Sequence, residues 1–386
     1  MRKMLSDKIT SIQPSGIRKF FDIVNDMPDA ISLGVGEPDF DTPWNVREEG
    51  IYALEQGKTF YTSNAGLMPL REEICNYLAR KYNLNYEPKK QVLVTIGGSE
   101  AIDIGLRCLV DPGDEVLIPE PCYVSYLPCA VMADAKPVPI ELKEENSFKL
   151  TPEELEAAIT DKTKVLIMPF PNNPTGAVMT KEDLLKLVPI IIKHDLAVIS
   201  DEIYSELTYT GTRHYSIAEF EGMKERTIVI NGFSKAFAMT GWRLGYACGP
   251  EKIISQMTKL HQFSIMCAPT NSQFAAVEAM RNCDRDVAGM VDAYNQRRRF
   301  MLSEFEKMGL PCFTPEGAFY IFPSIKKFGM SSDEFATRLL KEQKLAVVPG
   351  TAFGASGEGH VRISYAYSIE NLKKGLERIQ AFIDTL

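Results

Sequence analysis

Short apolar segments that alternate with amphipathic stretches are the feature that most constrains the fold of this 386-residue sequence. Three of them begin at Val165, Leu196 and Thr227, at intervals of about 31 residues. Such an interval fits a β-strand, a helix and their connecting turns, and strands that are apolar on both faces suit a parallel sheet covered by helices. Two earlier segments, 92–96 and 115–118, extend the pattern. The sequence therefore predicts a large α/β domain.

Helix start signals lie between the apolar segments. Thr151 is followed by Pro152 and, three residues on, by Glu154, which predicts a capping box with proline at the first helical position. Thr180 and Asp183 repeat the capping arrangement. Helices are therefore expected to alternate with the strands.

The pattern changes after about Asn271. A long helical stretch to Lys307 is expected there, followed by a strand at 317–321, a helix at 332–341, a strand at 361–364 and a final helix. We predict three parts, whose bounds are an N-terminal arm with part of the small domain at 1–30, a large domain at 31–285 and a smaller α+β domain at 286–386.

Composition excludes several classes of function. The chain has 43 Lys and Arg against 51 Asp and Glu, a net charge of −8, and no polybasic run, which argues against nucleic-acid or membrane binding through a broad positive field. The first residues lack the apolar core of a signal peptide, and the eight cysteines form no CxxC pair, so we expect a cytoplasmic protein with reduced thiols. The four histidines show no metal-ligand spacing, so no metal is expected.

The segment 231–245, which follows the apolar run at Thr227, carries the most specific signal. Lys235 lies among small and apolar residues at the carboxyl end of a predicted strand, where open α/β sheets place their ligands. Burial there favours the neutral amine, which can attack an aldehyde. Arg243 follows eight residues later, and two basic groups in one glycine-rich segment indicate a bound anion.

This segment, GFSKAFAMTGWRLG, resembles the lysine signature of the class I and II aminotransferases, which are pyridoxal-phosphate enzymes of fold type I. The resemblance implies that Lys235 forms a Schiff base with the cofactor and then acts as the general base that moves the substrate α-proton. Arg243 and the Ser234 hydroxyl would hold the phosphate. Many members carry serine where this sequence has Gly232, so one hydroxyl contact to the phosphate is absent from the expected set.

Two further segments match the family after predicted strands. The PNNPTG segment at 171–176 resembles its NPTG motif, in which Asn173 would contact the cofactor 3′-oxygen and the substrate carboxylate. The DEIY segment at 201–204 resembles D-E-x-Y, so Asp201 would keep the pyridine nitrogen protonated and Tyr204 would donate to the 3′-oxygen. Glu202 is interpreted as a structural acid.

The GGSEA segment at 97–101 lies between a strand and a helix, where amides and glycines form an anion cradle. The resemblance places the phosphate on the amides of Gly98, Ser99 and Glu100, with the Ser99 hydroxyl as an additional ligand. Tyr123 occupies the place of the aromatic residue that stacks on the pyridine ring. A GxGxxG fingerprint is absent, which disfavours a dinucleotide-binding enzyme.

Three more residues complete the expected site. Gly36, in the segment GVGEPD, would let the backbone approach the substrate carboxylate, and Arg362, in VRIS, would bind that carboxylate through both guanidinium nitrogens. Tyr61 matches the tyrosine that reaches the phosphate of the neighbouring subunit, which requires a homodimer with shared active sites.

The resemblance implies a fold type I enzyme, with a mostly parallel seven-stranded sheet in the large domain and a smaller α+β domain. The expected activity is ping-pong transfer of an amino group from an L-amino acid to a 2-oxo acid, 2-oxoglutarate above all, with pyridoxal 5′-phosphate as cofactor and with no nucleic-acid or membrane partner. A β-lyase, a decarboxylase or a 1-aminocyclopropane-carboxylate synthase would keep Lys235, Asp201 and Arg243. A cofactor-binding domain of a transcription regulator would be preceded by a basic DNA-binding module, which this sequence lacks.

The sequence leaves the donor amino acid open. Some dicarboxylate-specific members carry lysine at the position of Ser99, so aspartate specificity is not supported unless Arg18, Lys19 or a partner residue substitutes. Aromatic, branched and 2-aminoadipate-like donors remain. The N-terminal arm, with the apolar residues Ile12, Ile17 and Phe20, either closes over the substrate or packs in the dimer.

Overall fold

A computed structural model describes residues 4–14, 16, 27 and 29–386. The arm predictions for Ile17, Arg18, Lys19 and Phe20 lie outside these described residues. Ile12 follows a short helix, Asp7–Ser11. Within the described ranges, no helix combines the length and apolar character needed to cross a membrane.

The central element is a seven-stranded sheet in the order β2-β8-β7-β6-β5-β3-β4. Only β8 runs antiparallel to its neighbours, β2 and β7. The sheet is therefore mostly parallel, as predicted. Its strands are β2 (Val92–Thr95), β3 (Glu115–Glu120), β4 (Lys136–Glu141), β5 (Thr163–Met168), β6 (Ala197–Asp201), β7 (Thr227–Gly232) and β8 (Gly245–Cys248).

Helices pack on both faces of this sheet. Thr151 and Thr180 each cap a helix through a complete capping box, as predicted. The described α-helices are Asp7–Ser11, Trp44–Glu55, Met68–Tyr82, Gly97–Leu109, Tyr126–Met132, Pro152–Ala158, Lys181–Lys193, Glu251–Ser264, Thr270–Asn282, Asp284–Lys307, Ser332–Gln343 and Ile369–Ile383.

The C-terminal part contains a three-stranded antiparallel sheet in the order β11 (Val348–Pro349), β12 (Val361–Ser364), β9 (Tyr320–Ile321). β12 has the predicted bounds, whereas β9 covers only the last two residues of the predicted strand. A parallel pair, β1 (Ile31–Ser32) with β10 (Leu345–Ala346), joins this part to the early chain.

The helical stretch predicted after Asn271 is two helices. Cys283, with φ −101° and ψ 15°, separates Thr270–Asn282 from Asp284–Lys307, because its backbone leaves the helical conformation. The division into domains after residues 30 and 285 stays a prediction.

The strand directions bring the predicted site residues to one edge of the sheet. Since β8 is antiparallel to both β2 and β7, the strands β2, β3, β5, β6 and β7 all end at the same edge. Asp201 is the last residue of β6, and the segments that follow the other four strands contain Gly98, Tyr123, Asn173 and Lys235. Ligands of open α/β sheets bind at this edge.

Candidate active site

A cavity of about 380 Å³ opens at the carboxyl edge of the sheet. It brings together most of the residues predicted from the sequence, which come from every part of the described chain. The predicted residues in its wall are Gly36, Gly98, Ser99, Tyr123, Asn173, Asp201, Tyr204, Ser234, Lys235, Arg243 and Arg362.

Lys235 follows β7 and points its amine into the cavity. Its Nζ donates to the carbonyl oxygen of Gly36 at 2.5 Å and lies 6.0 Å from the ring centroid of Tyr204. Burial, reinforced by the nearby guanidinium of Arg362, lowers the pKa of Lys235 to about 8. The neutral, nucleophilic form of the amine is therefore much more populated near neutral pH than in an ordinary lysine.

Asp201 is the last residue of β6 and is 7% exposed. Its Oδ2 accepts a hydrogen bond from the hydroxyl of Tyr126 at 2.7 Å, and its Oδ1 accepts one from the amide of Ile203 at 3.2 Å. Burial raises the pKa of Asp201, while the bond from Tyr126 opposes that rise. The carboxylate is oriented by its partners and still lines the cavity, where it can meet a protonated ring nitrogen.

Tyr204 lies three residues after Asp201, and its hydroxyl is 2.7 Å from the hydroxyl of Tyr320. Burial raises the pKa of Tyr204 well above its ordinary value, so the phenol keeps its proton and can donate. Tyr320 also explains the glycine at position 36, because a Cβ there would lie 2.3 Å from the Tyr320 hydroxyl oxygen.

Arg362 lies on β12 and is 2% exposed. One guanidinium nitrogen donates to Oδ1 of Asn173 at 2.9 Å, and the other donates to the carbonyl oxygen of Gly34. Its Nε is buried and has no hydrogen-bond partner among the described residues. The ring centroids of Tyr320 and Phe353 lie 4.4 and 4.7 Å from its Cζ. A buried cation with an unused donor, and with no carboxylate in salt-bridge contact among the residues that the structure describes, suits an anionic ligand.

Another part of the cavity wall has the features of an anion cradle. Gly98 and Ser99 lie in the first turn of the helix Gly97–Leu109, whose amides lack partners within the helix. Gly97 has φ +71°, and a Cβ there would lie 2.8 Å from a guanidinium nitrogen of Arg243. The guanidinium is therefore packed against the turn that begins this helix. Ser234 lines the same cavity.

Two predicted residues lie outside the cavity wall. Tyr61 is 82% exposed on the connection between two helices, so it does not contribute to the cavity of its own chain. Glu100 turns its side chain away from the cavity, where its carboxylate accepts from the amide of Ile96 at 2.5 Å and contacts His261. Only its backbone is available for the predicted role.

Glu202 is fully buried and absent from the cavity wall, which fits the structural role expected for it. Its Oε1 accepts from the hydroxyls of Ser200 at 2.8 Å and Ser216 at 2.5 Å. Sequence reasoning missed Tyr126 and Tyr320, the partners of Asp201 and Tyr204. The available signal was weak, since a tyrosine near a helix start or in a strand usually belongs to the core.

This donor set fits pyridoxal 5′-phosphate. The amine of Lys235 suits its aldehyde, the buried carboxylate of Asp201 suits its ring nitrogen, and the cradle with Arg243 suits its phosphate. Arg362, with a buried Nε that has no partner in the described chain, can bind a further anion such as a carboxylate.

Comparisons with known proteins agree with this fit. The family model for aminotransferase class I and II matches residues 28–379. The chain is 47% identical to an aspartate aminotransferase of Pyrococcus abyssi and 45% identical to aromatic-amino-acid aminotransferase 2 of Thermococcus litoralis, with 97% of each chain covered. A solved single mutant of the Thermus thermophilus aspartate aminotransferase is 40% identical, with a TM-score of 0.93 over 99% of this chain and all of that one. The chain therefore belongs to the class I and II aminotransferases, which are pyridoxal-phosphate enzymes of fold type I.

Proposed function

We propose that this aminotransferase moves the amino group of an L-amino acid to 2-oxoglutarate by a ping-pong mechanism, with the residues of the 380 Å³ cavity in the roles given below. The observation that carries the proposal is that three functional groups line one cavity. They are the amine of Lys235, whose pKa is lowered to about 8, the carboxylate of Asp201 and the guanidinium of Arg362.

Lys235 attaches the cofactor and then moves the substrate proton. Pyridoxal phosphate, when bound, supplies an electron sink for the electron pair released from the substrate Cα–H bond. The Nζ of Lys235 accepts the Cα proton, because a pKa of about 8 leaves the amine basic and partly unprotonated near neutral pH. Asp201, oriented by Tyr126, keeps the ring nitrogen of the cofactor protonated. Tyr204 donates to the ring oxygen.

The remaining cavity residues bind and orient. Arg243, Ser234 and the amides of Gly98, Ser99 and Glu100 hold the phosphate, with the Ser99 hydroxyl as a further donor. The hydroxyl of Tyr123 lies 3.4 Å from that of Ser99, and this position beside the cradle supports the proposed stacking of the Tyr123 ring on the pyridine ring.

The substrate carboxylate binds Arg362 and Asn173, which are already joined at 2.9 Å. Gly36 lines the same cavity as this pair, and a side chain at that position would collide with Tyr320, so its backbone is open to the substrate carboxylate. Both substrates of a ping-pong reaction carry an α-carboxylate, so one arginine serves both half-reactions.

The proposed functional unit is a homodimer with shared active sites. Large apolar side chains are exposed around Tyr61, and exposed apolar surface of this kind marks interaction sites. Tyr52, Phe60 and Tyr61 are 52%, 82% and 82% exposed. In the dimer, the Tyr61 hydroxyl reaches the phosphate in the partner's cavity.

A cytoplasmic location is also proposed. All eight cysteines are free thiols, and five of them are buried, which suits a reducing compartment.

The test is an absorbance titration of the purified holoenzyme with a panel of L-amino acids that covers acidic, aromatic, branched and 2-aminoadipate-like donors. We expect one class to convert the cofactor to its amino form and 2-oxoglutarate to reverse the change. Lys235→Ala should abolish the conversion, whereas Arg362→Lys should raise the KM for the amino acid by about 10- to 100-fold, since lysine loses the two-nitrogen contact. Irreversible release of 2-oxo acid and ammonia would instead identify a lyase.

A further inference from the structure

A residue with a carboxylate side chain belongs to the helix turn whose amides are expected to bind the phosphate. Glu100 lies in the first turn of the helix Gly97–Leu109. The amino end of a helix attracts anions, so this carboxylate competes with the phosphate for the same amides and repels its charge. Phosphate binding at these amides therefore requires a contact that keeps the Glu100 side chain away from them.

The structure contains two contacts that hold this side chain. Oε2 of Glu100 accepts a hydrogen bond from the amide of Ile96 at 2.5 Å, and Oε1 lies 2.6 Å from Nδ1 of His261. The side chain of His261 is 0% exposed and that of Glu100 is 9% exposed. Both carboxylate oxygens are thus held on the side of the helix that faces away from the cavity.

His261 is firmly placed by packing. It belongs to the last turn of the helix Glu251–Ser264, and Ile254 and Met257 on that helix are buried in the same apolar cluster as Ile102 and Leu106. The other ring nitrogen of His261, Nε2, is buried without a hydrogen-bond partner in the described chain. Burial of an imidazole nitrogen without a hydrogen-bond partner costs free energy. The contact of the other ring nitrogen with Glu100 is the polar interaction that offsets this cost.

We propose that His261 is a positioning residue for cofactor binding: it holds the Glu100 carboxylate against the Ile96 amide and thereby leaves the amides of the cradle free for the phosphate. The proposal rests on the proposed placement of the phosphate at this helix. His261 does not touch the cofactor, and its effect passes through Glu100.

The test compares the affinity of the apoenzyme for pyridoxal 5′-phosphate among variants, measured by fluorescence quenching. His261→Leu removes the partner of Oε1 at similar volume and should weaken binding about tenfold, because the freed carboxylate turns toward the amides. His261→Leu combined with Glu100→Gln should recover most of the affinity, since the competing charge is gone. His194→Leu, at a surface contact with Glu156, is the matched control and should bind like the parent.

Thermal unfolding of each apoenzyme separates affinity from folding. If His261 only fills space, His261→Leu lowers the melting temperature and Glu100→Gln fails to restore affinity, which overturns the proposal. Unchanged affinity in His261→Leu also overturns it. Arg243→Ala tests the phosphate placement by itself. If that variant binds the cofactor as tightly as the parent, the proposed phosphate site is wrong. If Arg243→Ala loses affinity while His261→Leu keeps it, only the positioning role of His261 is rejected.

Discussion

Burial shifts the pKa values of two ionisable residues in the cavity in opposite directions. Burial lowers the pKa of Lys235 and raises that of Asp201, because in both cases it disfavours the charged form. For the lysine this is useful, since the neutral amine is the reactive form. For the aspartate it must be opposed, and the hydroxyl of Tyr126 does so at 2.7 Å.

The pH dependence of cofactor attachment tests the lysine. Attachment of pyridoxal 5′-phosphate to the apoenzyme requires the neutral amine of Lys235, which predominates above its pKa. The rate, followed by stopped-flow absorbance, should rise as the pH approaches about 8 and level off above it. A rate that keeps rising toward 10.5, the ordinary pKa of lysine, contradicts the lowered value.

The variant Tyr126→Phe tests the aspartate. It removes the hydrogen bond to Asp201 and should raise the pKa of that carboxyl further, so the amino-acid half-reaction should slow by about 10- to 100-fold, as for other hydrogen bonds to charged groups. The control is Tyr86→Phe, because the buried hydroxyl of Tyr86 has no partner in the described chain. Equal single-turnover rates in the two variants would contradict the role of Tyr126.

At the scale of elements, the predictable strands were those with uninterrupted apolar runs. β5, β6 and β7 follow this pattern and were predicted at about the right positions. β4 was missed because its sequence, KPVPIE, contains two prolines and lies mostly exposed at the sheet edge. β8 was missed because its four residues, GYAC, are too short to show a period.

Site residues that follow a strand were predictable, and their partners were not. The strand, the turn and the family resemblance placed Lys235 and Asp201 at one edge of the sheet. Tyr126 is 75 residues before Asp201, and Tyr320 is 116 residues after Tyr204. Those pairings depend on how distant segments pack, which no local pattern in the sequence reports.

The turn that begins the helix Gly97–Leu109 can be tested by substitution of its first residue, Gly97. Gly97→Ala places a Cβ at a residue with φ +71° and 2.8 Å from Arg243, so it strains the turn and displaces the guanidinium. The affinity for pyridoxal 5′-phosphate should fall about tenfold or more. Gly289→Ala, in the helix Asp284–Lys307 where a Cβ meets no atom within 4 Å, is the control, and it should leave the affinity unchanged while it slightly raises the melting temperature, because alanine favours the helix more than glycine does. Matching affinities would show that the turn tolerates a side chain.

For the whole molecule, the cavity depends on contacts between the two ends of the chain. β1 pairs with β10, and Arg362 donates to the carbonyl oxygen of Gly34. Tyr61 remains exposed outside this arrangement. The proposed site is complete only when a second chain supplies that tyrosine.

Subunit mixing tests the shared site. Tyr61→Ala and Arg243→Ala should each be weakly active by themselves. When equal amounts exchange subunits, about half of the dimers are mixed, and each mixed dimer contains one intact site. About a quarter of all sites should therefore regain activity. Mixing Lys235→Ala with Arg243→Ala is the control: both residues serve their own chain's cavity, so no intact site forms. Recovery in the control, or none in the test pair, would contradict the shared site.

The segment that carries Lys235 is anchored at both ends. β7 ends at Gly232, β8 begins at Gly245, and these two glycines are paired in the sheet. A Cβ on Gly245 would lie 2.6 Å from the carbonyl carbon of Gly97, so this position of the return strand accepts only glycine. The segment with Lys235 therefore begins and ends at two paired residues of the sheet. In the proposed reaction, the movement of the amine between the two carbon atoms that exchange the proton then comes from rotation about the bonds of its own four-methylene side chain.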